Sequence, residues 1–191
     1  MASETVAGLV LAGGRGSRHG GADKGWLHYQ GKPLIEHALR HLRGVEQVLI
    51  SANRNLDRYA GLGAPVITDR RADYQGPLSG IESAFAASDA DWLYVLPVDV
   101  LGAPGDWLAR LQIEVAATGA PWCGTLDGER LQPLLGLWSR KLCGALTGYL
   151  DSGERRVMRF VHPWAGQALR LPAGSRLLNL NTPQALQQRS G

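Results

Sequence analysis

The residues most suited to chemistry follow the first apolar run of this 191-residue chain. Val6 to Leu11 leads into Ala12-Gly13-Gly14-Arg15-Gly16-Ser17-Arg18-His19-Gly20-Gly21-Ala22-Asp23-Lys24-Gly25. Successive glycines let backbone N–H groups turn inward with no Cβ in the way, and Arg15, Arg18 and Lys24 bring positive charge to the same loop. Such a loop cradles nucleotide phosphates. It is neither of the two common glycine motifs. The third glycine of a dinucleotide fingerprint falls on His19. A P-loop lysine would precede Ser or Thr, whereas Lys24 precedes Gly25 and Lys32 precedes Pro33.

Three more apolar runs end in polar clusters: Ser51-Ala52-Asn53-Arg54, Asp69-Arg70-Arg71 and Pro97-Val98-Asp99. A single carboxylate at a strand end, here Asp99, presents an oxygen to Mg²⁺ bridging a triphosphate. Lys24 and Arg18 offset charge on that triphosphate and on departing pyrophosphate. Asp23 either joins the metal or pairs with a neighbouring cation. Asn53 and Asp69 are candidates for nucleoside recognition, since a carboxylate accepts from both N1–H and N2–H₂ of guanine. A second basic stretch, Asp151-Ser152-Gly153-Glu154-Arg155-Arg156-Val157-Met158-Arg159, suggests an anionic co-substrate. Asn179 and Asn181 precede Thr182-Pro183, where capping alone accounts for the latter pair. His37 and His41 have i, i+4 spacing but no third ligand, and read as helix surface. The absence of G-x-S-x-G gives no sign of a serine nucleophile.

These residues need a scaffold that brings strand ends together. Strand patterns at 6–11, 47–51, 65–68 and 92–96 alternate with helical patterns at 33–42, 79–87 and 106–117, with Ser79 as an expected N-cap. Further on, 131–138 and 167–171 read as strands, and 141–150 and 182–188 as helices. The alternation predicts an α/β fold, a three-layer α/β/α sandwich on a mainly parallel, Rossmann-like nucleotidyltransferase sheet. Ligands of open α/β sheets bind outside the carboxyl ends of the strands, where all four polar clusters fall. The length and lack of any linker predict one domain over 1–191, its N-terminal half binding nucleotide and its C-terminal part facing the second substrate. The net charge of +3, without a polybasic tract, points away from nucleic acid. No apolar run is long enough for a membrane span and no signal peptide is evident. Cys123 and Cys143, far apart in sequence, read as reduced thiols in a cytoplasmic chain.

Taken together, Leu11-Ala12-Gly13-Gly14, Gly20 to Gly25, Gly31-Lys32-Pro33-Leu34, Ser51-Ala52-Asn53-Arg54, Asp73-Tyr74 with Gly76-Pro77-Leu78, Pro97-Val98-Asp99, Gly153 to Met158 and Asn179 to Pro183 resemble the bacterial molybdenum cofactor guanylyltransferases. The resemblance implies transfer of GMP from Mg²⁺-bound GTP to the terminal phosphate of Mo-molybdopterin, with release of pyrophosphate. It implies that Leu11, Ala12, Gly13, Gly14, Lys24, Asn53, Asp69 and Asp99 form the GTP and metal site. Arg155, Arg156, Asn179 and Asn181 would form the pterin side. Cofactor-delivery chaperones or molybdenum-insertion proteins are the implied protein partners. The alternatives are a molybdopterin cytidylyltransferase or sugar-1-phosphate nucleotidyltransferase on the same fold, or a non-catalytic cofactor carrier. The chain departs from the family pattern at His19, at Val100-Leu101-Gly102 after Asp99, and at Gln132 before Pro133.

Overall fold

The computed structural model describes residues 4–13, 23–42, 44–72 and 75–180. Its strands are β1 (Val6–Leu11), β2 (His28–Tyr29), β3 (Lys32–Pro33), β4 (Gln47–Ser51), β5 (Val66–Ile67), β6 (Trp92–Pro97), β7 (Val100–Leu101), β8 (Trp122–Asp127), β9 (Arg130–Ser139), β10 (Leu169–Arg170) and β11 (Leu178–Asn179). The helices are α1 (Leu34–His41), α2 (Leu56–Ala60), α3 (Pro77–Ala86), α4 (Trp107–Thr118), α5 (Cys143–Asp151) and α6 (Val157–Val161). Seven strands form one sheet in the order β10-β8-β9-β6-β1-β4-β5. β6, β1, β4 and β5 run parallel, while β9 runs antiparallel to both β6 and β8. The sheet is therefore mainly parallel, with one reversed strand.

Alternation along the central strands builds the layers, because successive strand residues face opposite sides of a sheet. Val10, Ile50, Tyr94 and Leu96 join Leu34, Ile35, Ala38 and Leu42 from the α1 region and Trp107, Leu111 and Val115 of α4 in one cluster. Ala7, Leu9, Leu49, Leu93 and Val95 face the other way, onto Leu78, Ile81 and Phe85 of α3, Leu146 and Leu150 of α5 and Phe160 of α6. Both faces of the sheet are covered, which explains why β1 and β6 are apolar throughout rather than alternating.

Two helix starts differ from the sequence pattern. α3 begins at Pro77 after Gly76, whose φ of 85° turns the chain sharply into the helix. Proline suits this first helical position because its fixed φ is already helical and its missing N–H would be unpaired there. Ser79 is thus a fully buried residue of the first turn, not the cap. The 141–150 pattern opens as a 3-10 turn over Arg140–Leu142 before α5. The expected helix at 182–188 lies outside the described residues. β2 and β3 form a small hairpin whose two turn residues, Gln30 and Gly31, both have positive φ, as a tight hairpin turn requires. β7 and β11 pair antiparallel beside the end of β6, and this brings the late part of the chain back to the strand-end edge.

Candidate active site

A cleft of about 200 Å³ opens at the carboxyl edge of the central strands. Leu11, Ala12 and Gly13 line it from the end of β1, Pro97, Val98 and Asp99 from the end of β6, Arg54 from the loop after β4, and Pro77 from the start of α3. Lys24 and Leu134 complete the described walls. A larger cavity, about 480 Å³, opens at the amino-terminal edge around Val6, Trp92 and Leu137. It is remote from every strand-end cluster, so the smaller cleft is the one with the chemistry.

Lys24 Nζ lies 2.7 Å from Asp99 Oδ2, and both side chains are mostly covered, at 28% and 15% exposure. Two opposite charges so placed hold each other ready. An incoming cation can take the carboxylate while the ammonium turns to an incoming phosphate.

The position of Lys24 is set by Asp23. Asp23 caps the 3-10 turn Lys24–Trp26 and accepts from Gly25 N at 3.2 Å. It also accepts from Tyr59 Oη at 2.6 Å and from Asn55 Nδ2 at 2.9 Å. Burial and the bond to Asp23 push the Tyr59 phenol well above its ordinary pKa, so it stays a donor. Of the two roles the sequence left open for Asp23, the structure shows the second: it is held by donors, with Arg54 Nε at 3.9 Å as its cationic neighbour. Gly25 is required because a Cβ there would stand 2.3 Å from Tyr59 Oη. Arg58 lies over the Trp26 ring at 3.8 Å and packs α2 against the same turn. Tyr59→Phe is expected to lower stability by about 1.5–3 kcal/mol, the loss of one hydrogen bond to a charged group. Thermal denaturation measures this, and an unchanged melting temperature would contradict the anchoring role of Asp23.

The end of β1 enters the cleft under tight control. Ala12 N and Gly13 N both donate to Ser51 O at 2.9 Å, which ties the end of β1 to β4. These two amides are committed to the fold. Gly14 and Arg18 lie outside the described residues.

Asn53 and Asp69, at the ends of β4 and β5, form a reciprocal pair. Asn53 Nδ2 donates to Asp69 Oδ2, and Asp69 N donates to Asn53 Oδ1, each at 2.9 Å. Burial raises the Asp69 pKa; the Asn53 bond opposes this shift and nearby Glu82 reinforces it. The loop is pinned to α3 twice over. Arg70 N donates to Ser83 Oγ at 2.9 Å, and Arg71 makes a two-pronged contact with Glu82, both bonds at 2.7 Å. Asn53 and Asp69 sit one and two strands along the edge from β1, outside the walls of the small cleft.

The residues of the second substrate side divide. Asn179 lies in β11, opposite Val100, and Leu180 N donates to Asp99 O at 2.9 Å, so this segment abuts the Asp99 turn. Asn179 Oδ1 is buried and has no hydrogen-bond partner among the described residues. Asn181 lies outside the described residues. Arg155 is tied inward to Gln75 Oε1 and to the carbonyls of Leu150 and Glu154. Arg156 is exposed, at the entry to α6. His37 Nε2 lies 2.9 Å from Tyr29 O, a local structural contact. The sequence reading missed Arg54, Pro77 and Leu134 as cleft residues. The signal for Arg54 was available, since it stands beside Asn53 at a strand end.

Residues 8–168 match the family described as MobA-like NTP transferase domain. The chain belongs to that family. It is 42% identical over 158 residues to the molybdenum cofactor guanylyltransferase of Mannheimia succiniciproducens, which covers 82% of this chain and 83% of the relative. It is 40% identical over 177 residues to the enzyme of the same name from Pseudomonas syringae, with 92% and 88% coverage. Among solved structures, the molybdopterin-guanine dinucleotide biosynthesis protein A of Archaeoglobus fulgidus superposes with a TM-score of 0.74 at 21% identity, covering 95% of both chains. Rv0371c of Mycobacterium tuberculosis gives the same TM-score, also at 21% identity. The MobA-like family thus accounts for the fold seen here. Among the described residues no helix is long and apolar enough to cross a membrane.

Proposed function

We propose that the chain is a molybdenum cofactor guanylyltransferase that moves GMP from Mg²⁺-bound GTP to the terminal phosphate of Mo-molybdopterin. The products are molybdopterin guanine dinucleotide and pyrophosphate. The single observation that carries this reading is the Lys24–Asp99 pair facing the cleft at the strand ends, in a chain 40% and 42% identical to enzymes of that name. An oxygen of the pterin phosphate attacks the α-phosphorus of GTP. The bond from that phosphorus to the bridging oxygen breaks, and pyrophosphate leaves with the electron pair. The described cleft walls offer no Ser, Cys or His, which fits direct attack by the acceptor without an enzyme-bound intermediate.

The protein's part is to position the reactants and balance charge. Lys24, with Arg18 from the same loop, holds the β- and γ-phosphates and follows them into pyrophosphate. Asp69, held by Asn53, accepts from the guanine edge. Asn179, Asn181 and Arg156 would bind the acceptor, while Arg155 shapes its turn. Mg²⁺ takes few protein ligands and completes its shell with phosphates and water. The residues present fit it: Asp99 would supply a carboxylate, and the buried Asn179 Oδ1, without a partner among the described residues, belongs to the strand beside it. Among the described residues no group of three His, Cys, Asp or Glu forms a metal site. This suits an ion that arrives with its nucleotide. When bound, the ion draws charge from the triphosphate. In this reading the chain works in the cytoplasm, and molybdenum-insertion proteins or delivery chaperones stand on either side of it.

Pyrophosphate release from each of the four NTPs, with and without molybdopterin, tests the proposal. Release from GTP alone, dependent on molybdopterin, is the expected result. Preference for CTP would overturn the base assignment, and GTP binding without turnover would favour a carrier.

A further inference from the structure

Of the charged residues in the described cleft walls, Lys24, Arg54 and Asp99, Arg54 is the one to which the reaction above gives no task. Its side chain is 24% exposed and lines the same walls as Gly13, Lys24 and Asp99. Asp23 Oδ2 lies 3.9 Å from Arg54 Nε, beyond hydrogen-bond length, so this contact orients the side chain through charge. Asp23 is in any case held by Tyr59, Asn55 and the Gly25 amide. The same aspartate thus anchors both cations of the described cleft: it caps the turn that carries Lys24 and orients Arg54.

The charged residues of the described cleft walls are two cations, Lys24 and Arg54, and one carboxylate, Asp99, a lining that suits an anion. Lys24 pairs with Asp99. A magnesium triphosphate brings net negative charge into a cleft where Asp99 is already negative, and Arg54 adds positive charge on the wall it shares with Lys24. A guanidinium also offers a planar fork of donors that matches two oxygens of one phosphate, which an ammonium does not.

We propose that Arg54 binds a phosphate group in the cleft beside Lys24. The transferase reading enters only in naming the phosphate, which is either the triphosphate of the nucleotide or the terminal phosphate of the acceptor.

The test uses Arg54→Gln and Arg54→Lys in the full chain. Calorimetric titration with Mg²⁺-GTP, pyrophosphate and guanosine separates phosphate binding from base binding, and steady-state kinetics give KM for molybdopterin. Arg54→Gln is expected to weaken Mg²⁺-GTP and pyrophosphate by about 10- to 100-fold, as loss of one or two charge-assisted hydrogen bonds does. Guanosine affinity should stay within about twofold, inside the smallest effect one hydrogen bond produces. Arg54→Lys, which keeps the charge and loses the fork, should fall between, and it decides the matter should the Gln variant unfold. Wild-type affinity for Mg²⁺-GTP and pyrophosphate with a raised KM for molybdopterin assigns Arg54 to the acceptor phosphate. Unchanged phosphate affinity and unchanged KM overturn the proposal. So does an equal loss of guanosine binding, which would make Arg54 only a prop for the Asp23 turn. None of the binding measurements needs turnover. If the wild-type chain transfers no GMP but the pyrophosphate loss appears, the phosphate site stands and the transferase reading fails.

Discussion

Asp99→Asn is expected to lower kcat/KM for GTP by about 10³-fold or more while the chain stays folded. Losing one well-placed electrostatic group in a phosphoryl-transfer site costs on that order, and the proposed reaction gives this group the metal as well. The fold survives because the Asp99 turn is fixed by its backbone. Val98 N donates to Leu11 O at 3.1 Å and Leu180 N donates to Asp99 O at 2.9 Å, and asparagine keeps both bonds. What is lost is the carboxylate opposite Lys24. That lysine is still 28% exposed, so water or phosphate takes the place of Asp99. The melting temperature should therefore move by no more than about 4 °C. Magnesium titrations of pyrophosphate release, run beside thermal denaturation, give both numbers. Wild-type turnover in the variant would remove Asp99 from the metal role. A collapse of the melting temperature would show that the ion pair supports the fold.

Sequence made the catalytic edge legible because the features that build it are local. An apolar strand followed by glycines, or by a single carboxylate, is visible within ten residues, and β1 and β6 were found on that basis, while β4 was found from an apolar run ending in Ser51-Ala52-Asn53-Arg54. The two helices of five residues, α2 and α6, are too short for a 3.6-residue period to show. β8 was hidden because Trp-Cys-Gly-Thr-Leu-Asp alternates neither as a strand nor as a helix. Its place is fixed by pairing with β9, where Gly124 meets Gly136 and the register shifts. The antiparallel run of β9 is likewise a property of two distant segments. The role of Asp23 was undecidable from the loop alone, since its partners Tyr59 and Asn55 come from a different part of the chain. The pairing of Asn53 with Asp69 was also invisible. The two residues were read as parallel candidates, whereas both polar groups of the Asn53 amide are spent on Asp69.

That pairing leads to a second large effect, on base choice. With Oδ2 and the backbone amide held by Asn53, Asp69 Oδ1 is left without a hydrogen-bond partner among the described residues. A rigid carboxylate with one oxygen in hand suits an edge that carries only donors, as guanine does at N1 and N2. Asp69→Asn puts an amide in its place, and one of the amide's two ends then meets a donor with a donor. The expected loss in kcat/KM for GTP is about 10²-fold or more, because sites built to hydrogen-bond a substrate pay heavily for a mismatched group. ITP, which lacks the N2 amino group, should lose less than GTP. The pH dependence separates this role from a structural one. The Asp69 pKa is raised, so as pH falls the carboxylate protonates earlier than an ordinary aspartate and, in the proposed role, would stop accepting from guanine. KM for GTP should therefore rise on the acid side in the wild-type chain, at a pH above the usual aspartate range. In Asp69→Asn that rise should vanish, because nothing remains there to titrate. A variant that keeps the wild-type ratio of GTP to ATP turnover, with the acid-side rise in KM intact, would move base recognition to another residue.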